Sequence, residues 1–308
     1  MKGLELSETY FQQVGLAMLR EKFADYIDRI AVGLVGDGSE CFGFDDSLSR
    51  DHDWGPGFCI WLTREDHQII GSKLKSAVAE LPQSFAGFGP RKKSQWGDER
   101  IGVFEISQFY RKFIGLDHLP SGLNEWLIIP ENNLAACTNG EVFFDPLKEF
   151  VRWRKALLNF YPEDARLKKI AARCMTIGQA GQYNFPRCVQ RGEYFAAQYA
   201  ETKFCADFMS LIFLLNRKYA PFYKWMHRAV KSLQILGEWT HRAVASLISE
   251  SEFEEKIKRV EEMCATVIKE LIRQGLSDID SSFMPDHGPT IQNRIVDNAL
   301  REQNVWVG

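Results

Sequence analysis

The spacing of apolar residues changes near Pro146 and divides the chain in two. Ahead of it, apolar side chains at Phe11, Val14, Met18, Phe23, Ile27 and Ile30 predict a packing helix over 7–29 with Ser7 at its start. Short apolar runs bounded by turn residues, Ile30 to Val35, Phe58 to Leu62 and Ile101 to Ile106, predict buried strands. Thr63 with Asp66 three residues on marks a helix start, and Ile69, Ile70, Leu74, Ala77, Val78 and Leu81 supply its apolar face. Asn139-Gly140 reads as a tight turn into a short extended segment over 141–145. Beyond Pro146 the period becomes helical, over roughly 147–160, 163–180, 193–216, 221–236, 238–249 and 251–274, with one capped helix near 290–303. The expected class is α+β, with a mixed sheet and helices over 1–147 followed by an all-helical bundle over 148–308. The polar tail from Asp278 is expected to pack loosely on the surface.

Composition narrows the function classes. The chain has 308 residues, 45% hydrophobic and 26% charged, enough for two cores. A net charge of -3 and a pI near 6.1 provide no basic field, which argues against an extended nucleic-acid surface and favours a small-molecule acceptor. Seven scattered cysteines without a C-x-x-C argue against structural zinc or a disulfide framework. No stretch has the length and apolarity of a membrane span, and no short apolar signal core opens the chain, so a cytoplasmic location is expected.

The candidate chemistry lies between Gly36 and Asp53. Gly38-Ser39 follows the first expected strand, where backbone N–H groups and the Ser39 hydroxyl can approach an anion closely. Asp51 and Asp53 flank His52; in an extended segment their carboxylates share one face and offer a hard-cation site beside such an anion. The bland alternatives are an ordinary turn and a solvated acidic pair. Arg91-Lys92-Lys93, within the Gly- and Pro-rich loop 82–100, reads as a solvated basic turn in preference to a contact with substrate phosphate. Glu105, a carboxylate in an apolar strand, needs a partner. The run Arg217 to Trp225 interleaves cations with aromatics, a combination that can stack a base and neutralise phosphates or simply form a bundle corner.

Strand, Gly-Ser, about a dozen residues and then D-x-D resembles the signature of the DNA polymerase beta nucleotidyltransferase superfamily. Gly38-Ser39-Glu40, Gly43-Phe44-Asp45-Asp46, Ser49 to Pro56, Tyr161 to Asp164 and Tyr219 to Trp225 further resemble one uncharacterised bacterial family in it, known mainly as a domain of unknown function. The resemblance implies a nucleotidyltransferase-like fold and an enzyme that moves a nucleoside monophosphate from a triphosphate to an acceptor hydroxyl with Mg²⁺ or Mn²⁺. Asp51 and Asp53 would hold the metal. Glu105 would be a third metal ligand or the general base. Gly38, Ser39 and Arg50 would contact the nucleotide's phosphates, and Lys224 and Arg228 would reach it from the helical half. The Trp54-Gly55-Pro56-Gly57 insert departs from the superfamily pattern, in which the second Asp leads straight into a strand, and implies that Asp53 sits on a bulge or edge. The alternatives are a catalytically idle nucleotide-binding or toxin–antitoxin-type interaction module, or transfer to a protein or a tRNA end.

Overall fold

The computed structural model describes residues 1–92 and 100–308. Lys93, the last of the basic run, lies outside the described residues. The described chain forms two compact units, one of residues 1–120 and 133–159, the other of residues 121–132 and 160–308.

The first unit is built on a four-stranded mixed sheet in the order β3-β2-β1-β4, with β1 Ala31–Leu34, β2 Cys59–Leu62, β3 Gly102–Glu105 and β4 Glu141–Phe144. β1 runs antiparallel to β2 and β4, whereas β2 and β3 are parallel. A parallel pair needs a covering crossover. It contains α3 (Arg64–Ala79), whose first turn is closed by the Thr63 side chain accepting from the Asp66 amide, as the sequence predicts. Period-two alternation sends Phe58, Ile60 and Leu62 into a cluster with Phe11, Leu19, Ile70 and Leu74. Trp61 points the other way, stacked on Phe150 with ring centroids 3.8 Å apart and edge-on to Phe109. β2 is therefore buried on both faces, which is why its sequence shows no polar alternation.

The amino-terminal helix is less regular than its periodicity implies. α1 (Gly3–Tyr10) passes through a π turn at Phe11–Gly15 into α2 (Leu16–Lys22) and a 3₁₀ segment at Ala24–Arg29. Ser7 lies inside α1 rather than at its start, buried, with its hydroxyl donating to the Gly57 carbonyl. α4 (Ile106–Ile114), α6 (Glu131–Thr138, in this unit from Asn133) and α7 (Glu149–Leu158) complete the unit, so the helix following Pro146 belongs with the sheet and not with the bundle.

The second unit is helical: α5 (Leu123–Ile128), α8 (Glu163–Ile177), α9 (Phe185–Gln190), α10 (Tyr194–Leu215), α11 (Tyr223–Val230), α12 (Gly237–Ser249), α13 (Phe253–Arg273), α14 (Met284–Gln292) and α15 (Asn298–Arg301). Among the described residues no strand follows β4, in keeping with the expected α+β class and helical carboxyl-terminal region. α8 is its axis, buried continuously from Ala165 to Ala172 although that stretch contains Arg166, Lys168 and Lys169. The tail does not pack loosely. Lys168 donates to the Gln292 side chain (2.7 Å) and to the carbonyls of Gln303 (3.1 Å) and Asn304 (2.8 Å), because a buried ammonium needs acceptors and the tail backbone offers them. Among the described residues no helix is long and apolar enough to cross a membrane.

Candidate functional site

In the first unit β1 feeds directly into the loop that carries the motif. The Asn139 side chain clamps Gly36 on both sides, accepting from its amide at 3.0 Å and donating to its carbonyl at 2.7 Å. Gly140 sits so close to β1 that a Cβ would fall 1.9 Å from the Leu34 carbonyl oxygen, and its φ of +58° also calls for glycine. The loop then closes a 3₁₀ turn over Glu40–Phe42, with Cys41 N bonded to Gly38 O (3.1 Å) and both Phe42 N (3.2 Å) and Phe44 N (2.9 Å) to Ser39 O. Among the described residues, the amides of Gly38 and Ser39 and the Ser39 hydroxyl make no hydrogen bond. Three donors at a strand end are what an anion site requires.

Buried ions hold this loop in place. Glu40 is paired with Arg91 at 3.1 Å, and the same guanidinium donates to the carbonyls of Asp53 (2.6 Å) and Gly55 (3.2 Å). Arg91 is thus not part of a solvated basic turn: its side chain is only 7% exposed and ties both ends of the loop together. Lys92 remains exposed, and its carbonyl accepts from the Asp53 amide at 2.7 Å. Gly38 belongs to the same arrangement, since a Cβ there would meet the pinned Glu40 carboxylate at 2.5 Å. Asp45 accepts from the Gly3 amide at the start of α1 (2.8 Å) and from the Trp54 indole (3.1 Å), with the Lys2 ammonium 3.5 Å away. Burial pushes its carboxyl up, but those donors outweigh burial and hold it below the usual carboxylate range.

Asp51 and Asp53 do not share a strand face, because residues 51–53 form a bend. Asp51 is exposed and bonded to His52, whose hydrogen bonds lower its carboxyl. Asp53 is buried in the left-handed region at φ +50°, outside the sheet, with its carboxylate 3.7 Å from the Arg100 guanidinium. The insert that follows does not make a strand bulge; it folds around Arg91 and places Trp54 against Asp45. Asp37, at the other end of the loop, lies in the field of the same Arg100. One side of it is open to solvent, yet the surrounding protein raises its carboxyl, with Arg100 opposing. Arg50 is exposed and stacked over Trp54 (4.8 Å) and Phe88 (5.3 Å), held as a cation on an aromatic corner.

Glu105 has a different place. It pairs with Leu62, the last residue of β2, while Gly102 pairs with Cys59, so it stands three strand residues, roughly 10 Å, beyond the end at which the loop enters. Its carboxylate accepts from Ser107 N (3.0 Å), Ser107 Oγ (2.9 Å) and Gln108 N (3.3 Å), capping α4. Among the described residues no three His, Cys, Asp or Glu side chains come together as a metal cage.

In the second unit, Lys224 lies over the Trp225 ring at 4.5 Å and Arg228 follows one turn later on α11. The face of α11 that lines a cavity is instead that of Tyr223 and Met226, together with Lys169, Arg173, Glu131 and Ser210. Sequence reasoning had Tyr223 within the cation-and-aromatic run, Glu40 within the motif and Arg91 within a basic turn, without the places the fold gives them, and it missed Met226, Lys169, Arg173, Glu131, Ser210, Asp37 and Arg100. The one available signal was the charge of Lys168 and Lys169 within the apolar spacing of α8.

Residues 126–226, about a third of the chain, match the family model described as a domain of unknown function, DUF4037. No curated protein matches. Among solved structures, the chain is similar to a nucleotidyltransferase-like protein from Exiguobacterium sibiricum, with 10% identity, a TM-score of 0.40 and coverage of 83% of this chain and 75% of that one.

Proposed function

We propose that the first unit is a divalent-metal-dependent nucleotidyltransferase site in which the loop from Gly36 to Asp53 binds a nucleoside triphosphate. The observation that carries this reading is Asp53. A non-glycine residue with positive φ costs on the order of 1–3 kcal/mol. Here its amide, its carbonyl and its carboxylate are each held, by Lys92, Arg91 and Arg100, and the Arg91 that holds its carbonyl also pairs with Glu40 of the strand-end loop.

The residues fit a hard cation. Mg²⁺ takes one or two carboxylates and completes its shell with phosphate oxygens and water, so the Asp53 carboxylate could serve without a three-carboxylate cage. Arg100 shows that the Asp53 carboxylate already faces a cation. A bound Mg²⁺ or Mn²⁺ would offset charge developing on the α-phosphate and the departing pyrophosphate. The chain's own part is positional: the Gly38 and Ser39 amides and the Ser39 hydroxyl take phosphate oxygens, and Arg50 adds positive charge at the rim. The acceptor is a small-molecule hydroxyl, in line with the near-neutral charge of the chain. Glu105 is not given the base, since its carboxylate oxygens already cap α4.

That last observation also favours a second reading, a module that binds nucleotide without transferring it. The test is calorimetric titration of ATP, GTP, CTP and UTP with and without Mg²⁺, paired with pyrophosphate release in the presence of pooled cell metabolites. One triphosphate should bind only with Mg²⁺, and Asp53→Asn should weaken that binding at least about tenfold, because the amide keeps shape and tolerates positive φ while losing charge. Affinity that is indifferent to Mg²⁺, or unchanged in the variant, overturns the proposal. Tight Mg²⁺-dependent binding with no pyrophosphate release selects the second reading.

A further inference from the structure

α8 carries Lys169 into the interior of the second unit, where it is 4% exposed. An ammonium has three donors and loses its hydration on burial, so it needs acceptors. Among the described residues Lys169 has one hydrogen bond, a long one of 3.4 Å to the Leu127 carbonyl, and lies 5.1 Å from the centre of the Tyr161 ring. The carboxylate in its field, Glu131, is already committed: one oxygen to Arg173 at 3.3 Å and the other to the Ser210 hydroxyl at 3.0 Å. Lys168, the next residue, shows the contrast, with three acceptors within 3.1 Å.

Lys169, Arg173, Glu131 and Ser210 line a cavity of about 460 Å³, within the size range of small-molecule sites. Phe222 and Tyr223 line it as well, their ring centroids 4.3 Å apart, and the Tyr223 side chain is largely exposed. An exposed aromatic pair beside a buried, under-satisfied cation is poor for stability and well suited to a ligand with a charged head and a flat body.

We propose that this cavity binds a small-molecule oxyanion, a carboxylate or phosphate monoester on a flat apolar body, with Lys169 and Arg173 on the anionic head and Phe222 and Tyr223 beside the body. An oxyanion would supply the acceptors that Lys169 lacks. The site does not depend on the nucleotide reading, because its residues all belong to the second unit and those of the loop to the first.

The experiment titrates phenyl phosphate, benzoate and inorganic phosphate into the full-length chain without Mg²⁺. At least one aromatic anion should bind more tightly than inorganic phosphate by about tenfold, and the preference between phenyl phosphate and benzoate identifies the head group. Lys169→Met should weaken that binding at least about tenfold and leave the protein folded, since replacing a buried charge by an isosteric apolar group is often neutral. Tyr223→Ala, at an exposed side chain, should weaken the aromatic anions and not inorganic phosphate. Ser39→Ala, in the first unit, should leave the tighter aromatic-anion binding unchanged, whatever it does to inorganic phosphate. No saturable binding of any probe at millimolar concentration, binding that survives both Lys169→Met and Tyr223→Ala, or loss of that tighter aromatic-anion binding in Ser39→Ala overturns the proposal.

Discussion

The motif loop of the first unit and the cavity of the second both bury charge, and they settle it in opposite ways. In the loop, Glu40 pairs with Arg91 and Asp45 accepts from Gly3 and Trp54 beside Lys2, and on β3 Glu105 spends its carboxylate on a helix end. In the cavity, Lys169 keeps one long hydrogen bond and Arg173 ties up the nearby carboxylate. Charges paired in this way act as struts. An unanswered one marks a place where something else can bind. Glu105, which looks catalytic in the sequence, is such a strut, and Lys169, buried with one long hydrogen bond, lies in a helix that reads as core.

On this contrast the struts Arg91, Glu105 and Asp45 should act on folding rather than binding, and the largest effect should come from Arg91. Arg91→Met leaves Glu40 buried without its partner and frees the Asp53 and Gly55 carbonyls, and should cost about 3–5 kcal/mol in urea unfolding. A loss well under 1 kcal/mol would show that the Glu40 pair is no strut.

A middle-sized effect separates the two roles of Glu105. As a helix cap, Glu105→Gln should lower stability by roughly 0.5–2 kcal/mol and leave triphosphate affinity and any turnover intact. A fall in turnover of about 10²- to 10⁴-fold with unchanged stability would instead return the general-base role to Glu105.

The smallest effect is a pH dependence at Asp45. Its carboxyl is held below the unfolded value, so its contribution is fully present above the usual carboxylate range and fades as pH falls through its depressed folded value. Wild type should therefore lose stability on acidification below about pH 4, and Asp45→Asn should flatten that part of the curve. Parallel curves for the two proteins in thermal unfolding from pH 6 to pH 3 would remove Asp45 from the set of struts.

Local pattern determined a good deal of this. The four strands fall where short apolar runs meet turn residues, and α3 begins at the Thr63–Asp66 cap. Asn139-Gly140 turns into β4, and helices alone follow it among the described residues. Each of these depends on neighbours in sequence, through period, capping and φ preference, so each is legible in one dimension. The place of Gly38-Ser39 just past a strand end was legible for the same reason. What the tertiary structure decided is which charges meet. Arg91 finds Glu40 across 51 residues, Arg100 finds Asp53 across 47, Lys168 finds the tail 124 to 136 residues away, and Lys169 reaches a carbonyl 42 residues earlier. No local period records such pairings, because the energy of a buried ion depends on the groups that replace its water and those are chosen by the fold. The sequence therefore determined where the loop and the helices are, and only the folded chain decided that Asp53 is held on a bend and that Lys169 has too few acceptors.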